Sequence, residues 1–266
     1  MLRVTGLKTY YFGTLVLQSA GFVVRPGEIV GIVGRNGVGK STLLRSVLGL
    51  VACTGIIEVN GERLSGPPEL RVRRFQIGYL PQTGRVAPGV TVAGHLRAAS
   101  FYLPREEKHL LNTWIKSWHK GRGEMLPELL SPCSALLLRT GPLLRRYGEH
   151  LSGGEAALVA TVCAFMVGRS CLLLDEPSAG MSTEPLHELL SAIRELASKR
   201  GVGVLLVEQN HAILAEVADR ILLVAGESLN GGATVREMPQ EMLERARTNG
   251  INYLDFVQLS ENKGVQ

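Results

Sequence analysis

A chain of 266 residues can bury one large core or a core with a small added lobe. Hydrophobic residues at 45%, charged residues at 20% and 31 glycines fit a folded α/β protein and exclude a disordered or fibrous one. The formal charge is +5, but the basic residues are scattered, with the densest runs at 71–74 (RVRR) and 144–146 (LRR), which is a solvated surface rather than a nucleic-acid stripe.

Taken in chain order, residues 2–24 alternate apolar and polar in two stretches around Tyr-Phe-Gly, a pattern that predicts antiparallel strands in a small sheet ahead of the main one. Pro26-Gly27 then opens an apolar strand, EIVGIV at 28–33, followed by a Gly-rich turn and a helix at 41–49. GIIEVNGERL at 55–64 reads as a hairpin turning at Asn60-Gly61, and FQIGYLPQ at 75–82 as a strand. Residues 88–147 carry helical apolar spacing in TVAGHLRAASFYL, HLLNTWIKSW and EMLPELL, broken at Pro104, Gly121-Arg-Gly123 and Pro132. They predict a helical lobe inserted in the core, with Trp114 and Trp118 on one helix face as core or subunit contacts. The core resumes at 148 with CLLLDEP at 171–177, a helix at 184–199, a strand at 202–210, a helix at 211–220 and a strand at 221–226. Apolar strands alternating with amphipathic helices predict a mainly parallel sheet covered on both faces. The tail from 235 is polar and helix-like.

Four cysteines, at 53, 133, 163 and 171, form no C-x2-C pair and sit mostly among apolar neighbours, so they read as reduced core thiols. The N-terminal MLRVTGLKTY lacks the apolar content of a secretion signal, and the longest apolar run, at 156–168, is shorter than a bilayer span. The expectation is a cytosolic protein or one docked on a membrane partner.

The chemistry concentrates in three places. GRNGVGKST at 34–42, between a strand and a helix, has the spacing that wraps backbone N–H groups around a nucleotide's β-phosphate. Gly34, Arg35, Asn36, Gly37, Val38, Gly39 and Thr42 form the nest; Lys40 reaches the β- and γ-phosphates, and the Ser41 hydroxyl takes a place on Mg²⁺. LLLDE at 172–176 is an apolar strand ending in two acids: Asp175 holds Mg²⁺ through its water shell, and Glu176 orients or deprotonates the attacking water. LSGGE at 151–155 opens a helix, and Ser152, Gly153 and Gly154 read either as a capped surface turn or as a second phosphate device. Because Lys40 already occupies the γ-phosphate, the second device would serve a partner subunit's nucleotide.

LSGGE together with GRNGVGKST, LLLDEP and Gln82 resembles the nucleotide-binding subunits of ATP-binding cassette transporters, over roughly residues 1–235. The resemblance implies a P-loop α/β fold with an antiparallel β subdomain and the helical lobe at about 88–147, leaving 236–266 as a C-terminal extension. It implies ATP and Mg²⁺ as ligands, a second ATPase subunit whose LSGG segment completes each site, and transmembrane permease subunits moved by ATP-driven closure. It further implies that Tyr11, with Phe12 as runner-up, stacks on adenine, and that Gln82 binds Mg²⁺ or water and passes the nucleotide state to the lobe. VEQN at 207–210 puts Gln209 where most members have a γ-phosphate-contacting His, and with GYLPQ and PGVTV it is similar to ATPase subunits of branched-chain amino acid or urea-type importers. Such subunits sit on the cytoplasmic face of the bacterial inner membrane, work indirectly with a substrate-binding protein and bind no nucleic acid.

The sequence departs from the family at Ala156, Ala157 and Cys163 in the signature helix and at Ser182 in the dimer-contact loop, and its helical insert is longer than usual for the subgroup. Each lost hydrogen bond would cost about 0.5–1.5 kcal/mol, so the expectation is a working but slow or asymmetric ATPase. Two other readings, a soluble cassette ATPase in DNA repair or translation and a noncatalytic regulatory subunit, lack a coiled coil or basic arm on one side and are opposed by intact Lys40, Ser41, Asp175 and Glu176 on the other.

Overall fold

The computed structural model describes residues 1–83, 85–122, 133–226 and 231–249; EMLPELL at 124–130 and the tail beyond 249 lie outside the described residues. Two hairpins open the chain. In the first, β1 (Leu2–Tyr11) pairs antiparallel with β2 (Thr14–Val24), and Phe12 and Gly13 at the turn have φ of 47° and 81°. In the second, β4 (Cys53–Val59) pairs with β5 (Glu62–Arg63) through Asn60 and Gly61, at 53° and 82°. Positive φ at both central residues gives the turn the twist that antiparallel strands need.

Between the hairpins, β3 (Ile29–Val33) leads into α1 (Lys40–Leu48). Its parallel neighbours are β8 (Gly203–Val207) and β9 (Arg220–Ala225), and beyond β8 lie β7 (Cys171–Asp175) and β6 (Ile77–Leu80). These strands are buried on both faces, and alternation splits them between two cores. Ile29, Val33, Leu172, Leu174, Val204 and Leu206 face the larger core. Val30, Ile32, Leu173, Leu205 and Val207 face the core shared with α1 and the hairpins.

The sequence led us to expect a separate small sheet. Instead one ten-stranded sheet runs in the order β5-β4-β1-β2-β10-β9-β3-β8-β7-β6, with β10 (Ala233–Glu237) joining β2 to β9. Residues after β10 also join the larger core: Met238 is buried, as is Leu243 of α9 (Gln240–Asn249). Arg247 of α9 donates to the carbonyls of Ala215 and Ala218 at 2.9 and 2.7 Å, capping the end of α8 (His211–Val217). RVRR is at the surface, with Arg73 and Arg74 exposed, and it lies on a helix that the sequence reading missed, α2 (Pro68–Phe75), with Pro68 in its first turn.

The helical lobe contains α3 (Val92–Ala99), α4 (Arg105–His119) and α5 (Ser134–Thr140) among the described residues. Its two ends meet, as Val92 N–H donates to Arg146 C=O at 2.9 Å and Gly148 N–H to Val90 C=O at 3.0 Å. Trp114 packs in the core, with Trp118 edge-on at 6.2 Å. Ionic ties join the described part of the lobe to the rest of the chain. Glu107 meets Arg169 and Arg200 at 3.2 and 3.7 Å, and Arg139 meets Glu184 and Glu188 of α7 (Thr183–Arg200) at 2.9 and 2.6 Å. No helix among the described residues is long and apolar enough to cross a membrane. α6 (Gly153–Val167), the most apolar, is buried along most of its length instead.

Candidate active site

The loop from Gly34 to Gly39 lies between the end of β3 and the start of α1. Gly34 has φ of 155°, and a Cβ there would sit 2.4 Å from the Val224 carbonyl oxygen, so no side chain fits without a shift. Gly39 is left-handed at 112° and caps α1 without any side-chain hydrogen bond, leaving the first-turn N–H groups open toward an anion. Lys40 is buried and donates from Nζ to the carbonyls of Gly34 and Arg35 at 2.8 and 3.0 Å, so the ammonium bridges its own loop. Burial draws its pKa below the ordinary lysine value, against the opposing pull of Glu176 and Asp175.

Ser41 donates its hydroxyl to Asp175 Oδ1 at 3.0 Å, which brings α1 and the end of β7 together. Asp175 is fully buried, and its Oδ2 has no hydrogen-bond partner. Burial raises its pKa, with Ser41 and the charges of Arg45 and Lys40 opposing and Glu176 reinforcing. An orphaned buried carboxylate oxygen beside a hydroxyl is a fitting donor pair for a hard divalent cation, so Ser41 and Asp175 are the residues that would hold Mg²⁺. When bound, that ion would supply positive charge to the phosphate oxygens.

Glu176 follows at φ 51°, a left-handed backbone that is unusual for a non-glycine residue and turns the chain out of the strand. Its two carboxylate oxygens are taken by two amides: Gln82 Nε2 donates to Oε2 at 2.8 Å and Gln209 Nε2 to Oε1 at 2.6 Å. Gln82 comes from the loop after β6 and Gln209 from the loop after β8, so strand ends on both sides of β7 grip one side chain. The two amides fix the orientation of the carboxylate, whose charge acts on Lys40 at the end of the Gly34–Gly39 loop.

Two residues that the sequence reading did not single out hold the turn after Glu176. Glu208, only 3% exposed, accepts from the backbone N–H and the hydroxyl of Ser178, both at 2.9 Å, and burial raises its pKa. Arg85 donates to three backbone carbonyls, those of Glu176 and Ala179 in that turn and that of Pro81 beside Gln82. Glu208 lies inside the quoted VEQN run, but nothing in the sequence marks Arg85, whose acceptors at Glu176 and Ala179 are 91 and 94 residues away.

Ser152 caps α6. Its N–H donates to Glu155 Oε2 at 2.7 Å and its Oγ accepts from Glu155 N–H at 3.3 Å, a reciprocal capping box that Arg146 extends with a 2.6 Å ion pair to Glu155. Gly154 is a close approach, since a Cβ would come 2.9 Å from the Gly180 carbonyl oxygen. Ser152 hydrogen-bonds within its own helix start and, among the described residues, not to Lys40, Ser41 or Asp175. At the departures from the family pattern, Ala157 is buried and Cys163 packs against the larger core. Ser182 precedes α7 without donating or accepting a side-chain cap. Tyr11 is half-exposed and meets Phe12 edge-on at 4.7 Å, with Phe12 at the hairpin tip and 94% exposed. The four cysteines are free thiols, and burial pushes Cys133, Cys163 and Cys171 up to about 12.

A family model described as ABC transporter matches residues 17–179. The chain is 30% identical over 247 residues to a probable branched-chain amino acid transport ATP-binding protein LivF of Archaeoglobus fulgidus, covering 92% of this chain and 97% of the relative. It is 32% identical over 224 residues to the high-affinity branched-chain amino acid transport ATP-binding protein BraG of Pseudomonas aeruginosa, covering 83% and 87%. Relatives named for other solutes match too, among them a methionine import ATP-binding protein MetN of Corynebacterium glutamicum at 28% over 214 residues, covering 79% and 55%. A solved ATP-binding subunit of an ABC transporter superposes with a TM-score of 0.74 at 28% identity, covering 98% of both chains. A dimeric ATP-binding cassette in a post-hydrolysis state with ADP and Pi superposes at 0.69, 19% identity and 90% and 98% coverage, a likeness of fold. The family model spans more than half of the chain, and on that ground the protein belongs to the ABC transporter family, as one of its ATP-hydrolysing subunits.

Proposed function

We propose that this chain energises a membrane importer for branched-chain amino acids or related small solutes, working as one of two ATPase subunits on the cytoplasmic face of a bacterial inner membrane. The observation that carries the catalytic half is the grip of Gln82 and Gln209 on the Glu176 carboxylate, beside the buried Ser41–Asp175 pair and Lys40. The solute class rests on the likeness to LivF and BraG over most of the chain. The loop from Gly34 to Thr42 cradles the triphosphate, Tyr11 stacks on the base, and Glu176 takes the proton of the attacking water.

The reading makes residues 1–235 the nucleotide-binding domain and assigns Ser152, Gly153 and Gly154 to the nucleotide held by the other ATPase subunit, identical or paralogous. The capping box supports that role, because it fixes the helix start whose N–H groups would face the phosphate while leaving Ser152 exposed. Gln209 in place of a histidine keeps a hydrogen-bond donor on Glu176 but removes a titrating one. With alanines and a cysteine in the signature helix, hydrolysis is slow relative to the family.

Capture of the tagged full chain from its native membranes, with identification of the attached subunits and uptake assays in a deletion strain, tests the reading. Two permease chains and lost branched-chain amino acid uptake support it. Capture without any membrane protein, or unaltered uptake of these solutes, contradicts it.

A further inference from the structure

The turn that carries Glu176 is tied to the Gln82 loop by the side chain of Arg85. Arg85 donates from Nε to the Pro81 carbonyl at 3.2 Å, from Nη2 to the Glu176 carbonyl at 2.9 Å and from Nη1 to the Ala179 carbonyl at 3.3 Å. Pro81 adjoins Gln82, so one guanidinium binds the backbone of the Gln82 loop to both ends of the turn from Glu176 to Ala179. At the same turn, Glu208 holds the Ser178 N–H and hydroxyl at 2.9 Å each. The backbone of this turn is strained at its first residue, where φ is 51°, and such a conformation persists only when its surroundings over-determine it. Arg85 and Glu208 provide that determination. The negative charges of Asp175, Glu176 and Glu208 also act on the guanidinium electrostatically.

We propose that Arg85 is a positioning residue for ATP hydrolysis, which mounts the Glu176 turn on the Gln82 loop so that both move as one body. Its three acceptors are backbone carbonyls, and among the described residues it makes no hydrogen bond to the side chain of Lys40, Asp175 or Glu176. A planar fork with five donors spans such a set, whereas a lysine ammonium, a compact point charge, does not. The inference rests on Glu176 being the residue that handles water, and it adds which group fixes that residue's backbone and couples it to the Gln82 loop.

The test is ATP hydrolysis by the full chain as wild type, Arg85→Ala, Arg85→Lys, Glu176→Gln and the double variant Arg85→Ala/Glu176→Gln, with folding checked by thermal melting. Arg85→Ala is expected to lower kcat by about 10-fold or more with the ATP KM within about 2-fold, as misplacing a reacting group by a fraction of its hydrogen-bond length does. Arg85→Lys does not restore the rate, and in the Glu176→Gln background the Arg85 change adds nothing. An unchanged kcat in Arg85→Ala, a loss confined to KM, or a further loss in the double variant overturns the proposal. If Arg85→Ala does not fold, Arg85→Lys, which keeps the charge on a stem of comparable length, and Arg85→Gln, which keeps a shorter polar head, carry the same comparison. Wild-type turnover by Glu176→Gln would instead defeat the assignment of Glu176 itself, whereas an inactive Glu176→Gln beside a normal Arg85→Ala defeats this inference alone.

Discussion

Replacing Asp175 with Asn should make the nucleotide-free chain more stable and the enzyme inactive. Asp175 is fully buried, its Oδ1 is bonded to Ser41 at 3.0 Å and its Oδ2 has no partner. An unsatisfied buried polar group costs about 1–3 kcal/mol, more when charged, and Glu176 next door adds repulsion. Asn keeps the acceptor for Ser41 and removes the charge, while its amide nitrogen inherits part of the same penalty. The net gain is therefore near the bottom of the range, about 1 kcal/mol, which for a chain of this size is a rise of about 2–4 °C in Tm. The same change removes a ligand for Mg²⁺, so the magnesium-dependent part of the thermal shift produced by ATP disappears and hydrolysis falls by about 100-fold or more. Melting curves with EDTA, with ATP alone and with ATP plus magnesium, set beside phosphate release, read all three effects. A variant that melts lower without ligand, or that keeps a magnesium-dependent shift and turnover, refutes the reasoning.

Other expectations follow from the same geometry. Burial raises the folded-state pKa of Glu208 above its ordinary value of 4.5, so between the two values the folded chain holds a proton that the unfolded chain has released. Its contribution to stability is greatest below 4.5 and declines as the pH rises through the raised value; Glu208→Gln, which keeps partners for Ser178, should remove that decline from the dependence of Tm on pH. An identical slope in the two proteins would refute it. Gly34→Ala forces a Cβ to within 2.4 Å of the Val224 oxygen, and it should cost about 1–3 kcal/mol in denaturant melts and abolish ATP binding; a wild-type melt would contradict the clash. Tyr11→Ala should weaken ATP binding about 5-fold by calorimetry without changing Tm, because the ring is half-exposed. If Phe12→Ala produces the loss and Tyr11→Ala does not, the stacking role belongs to Phe12.

What the sequence made legible was local. Gly34, Gly37 and Gly39 mark the phosphate loop because each sits at a positive φ that few other residues tolerate, and Asn60-Gly61 marks its hairpin for the same reason. The strands β3, β7 and β8 stand out because they are buried on both faces and so are apolar without interruption. The helix α2 escaped because three of its eight residues are arginines and its apolar residues Leu70, Val72 and Phe75 make no continuous stripe, with Leu70 exposed and Phe75 alone buried. The continuity of the sheet escaped because it depends on Ala233 pairing with Leu17, and no periodicity reports a partner so far along the chain. The same limit applies to the site. Glu176 was readable from its strand end, but its hydrogen bonds come from loops 94 residues before it and 33 after it, and the support from Arg85 reaches backbone atoms, which carry no residue signature.

The central claim is that Glu176 activates water while Lys40 and its loop hold the triphosphate, and the direct measurement is ATP binding and hydrolysis by Glu176→Gln in parallel. The account predicts that the variant binds ATP with an affinity within a few-fold of wild type and loses hydrolysis by about 100-fold or more, because an amide in the grip of Gln82 and Gln209 cannot take a proton. Turnover at the wild-type rate in a variant that binds ATP normally would contradict it.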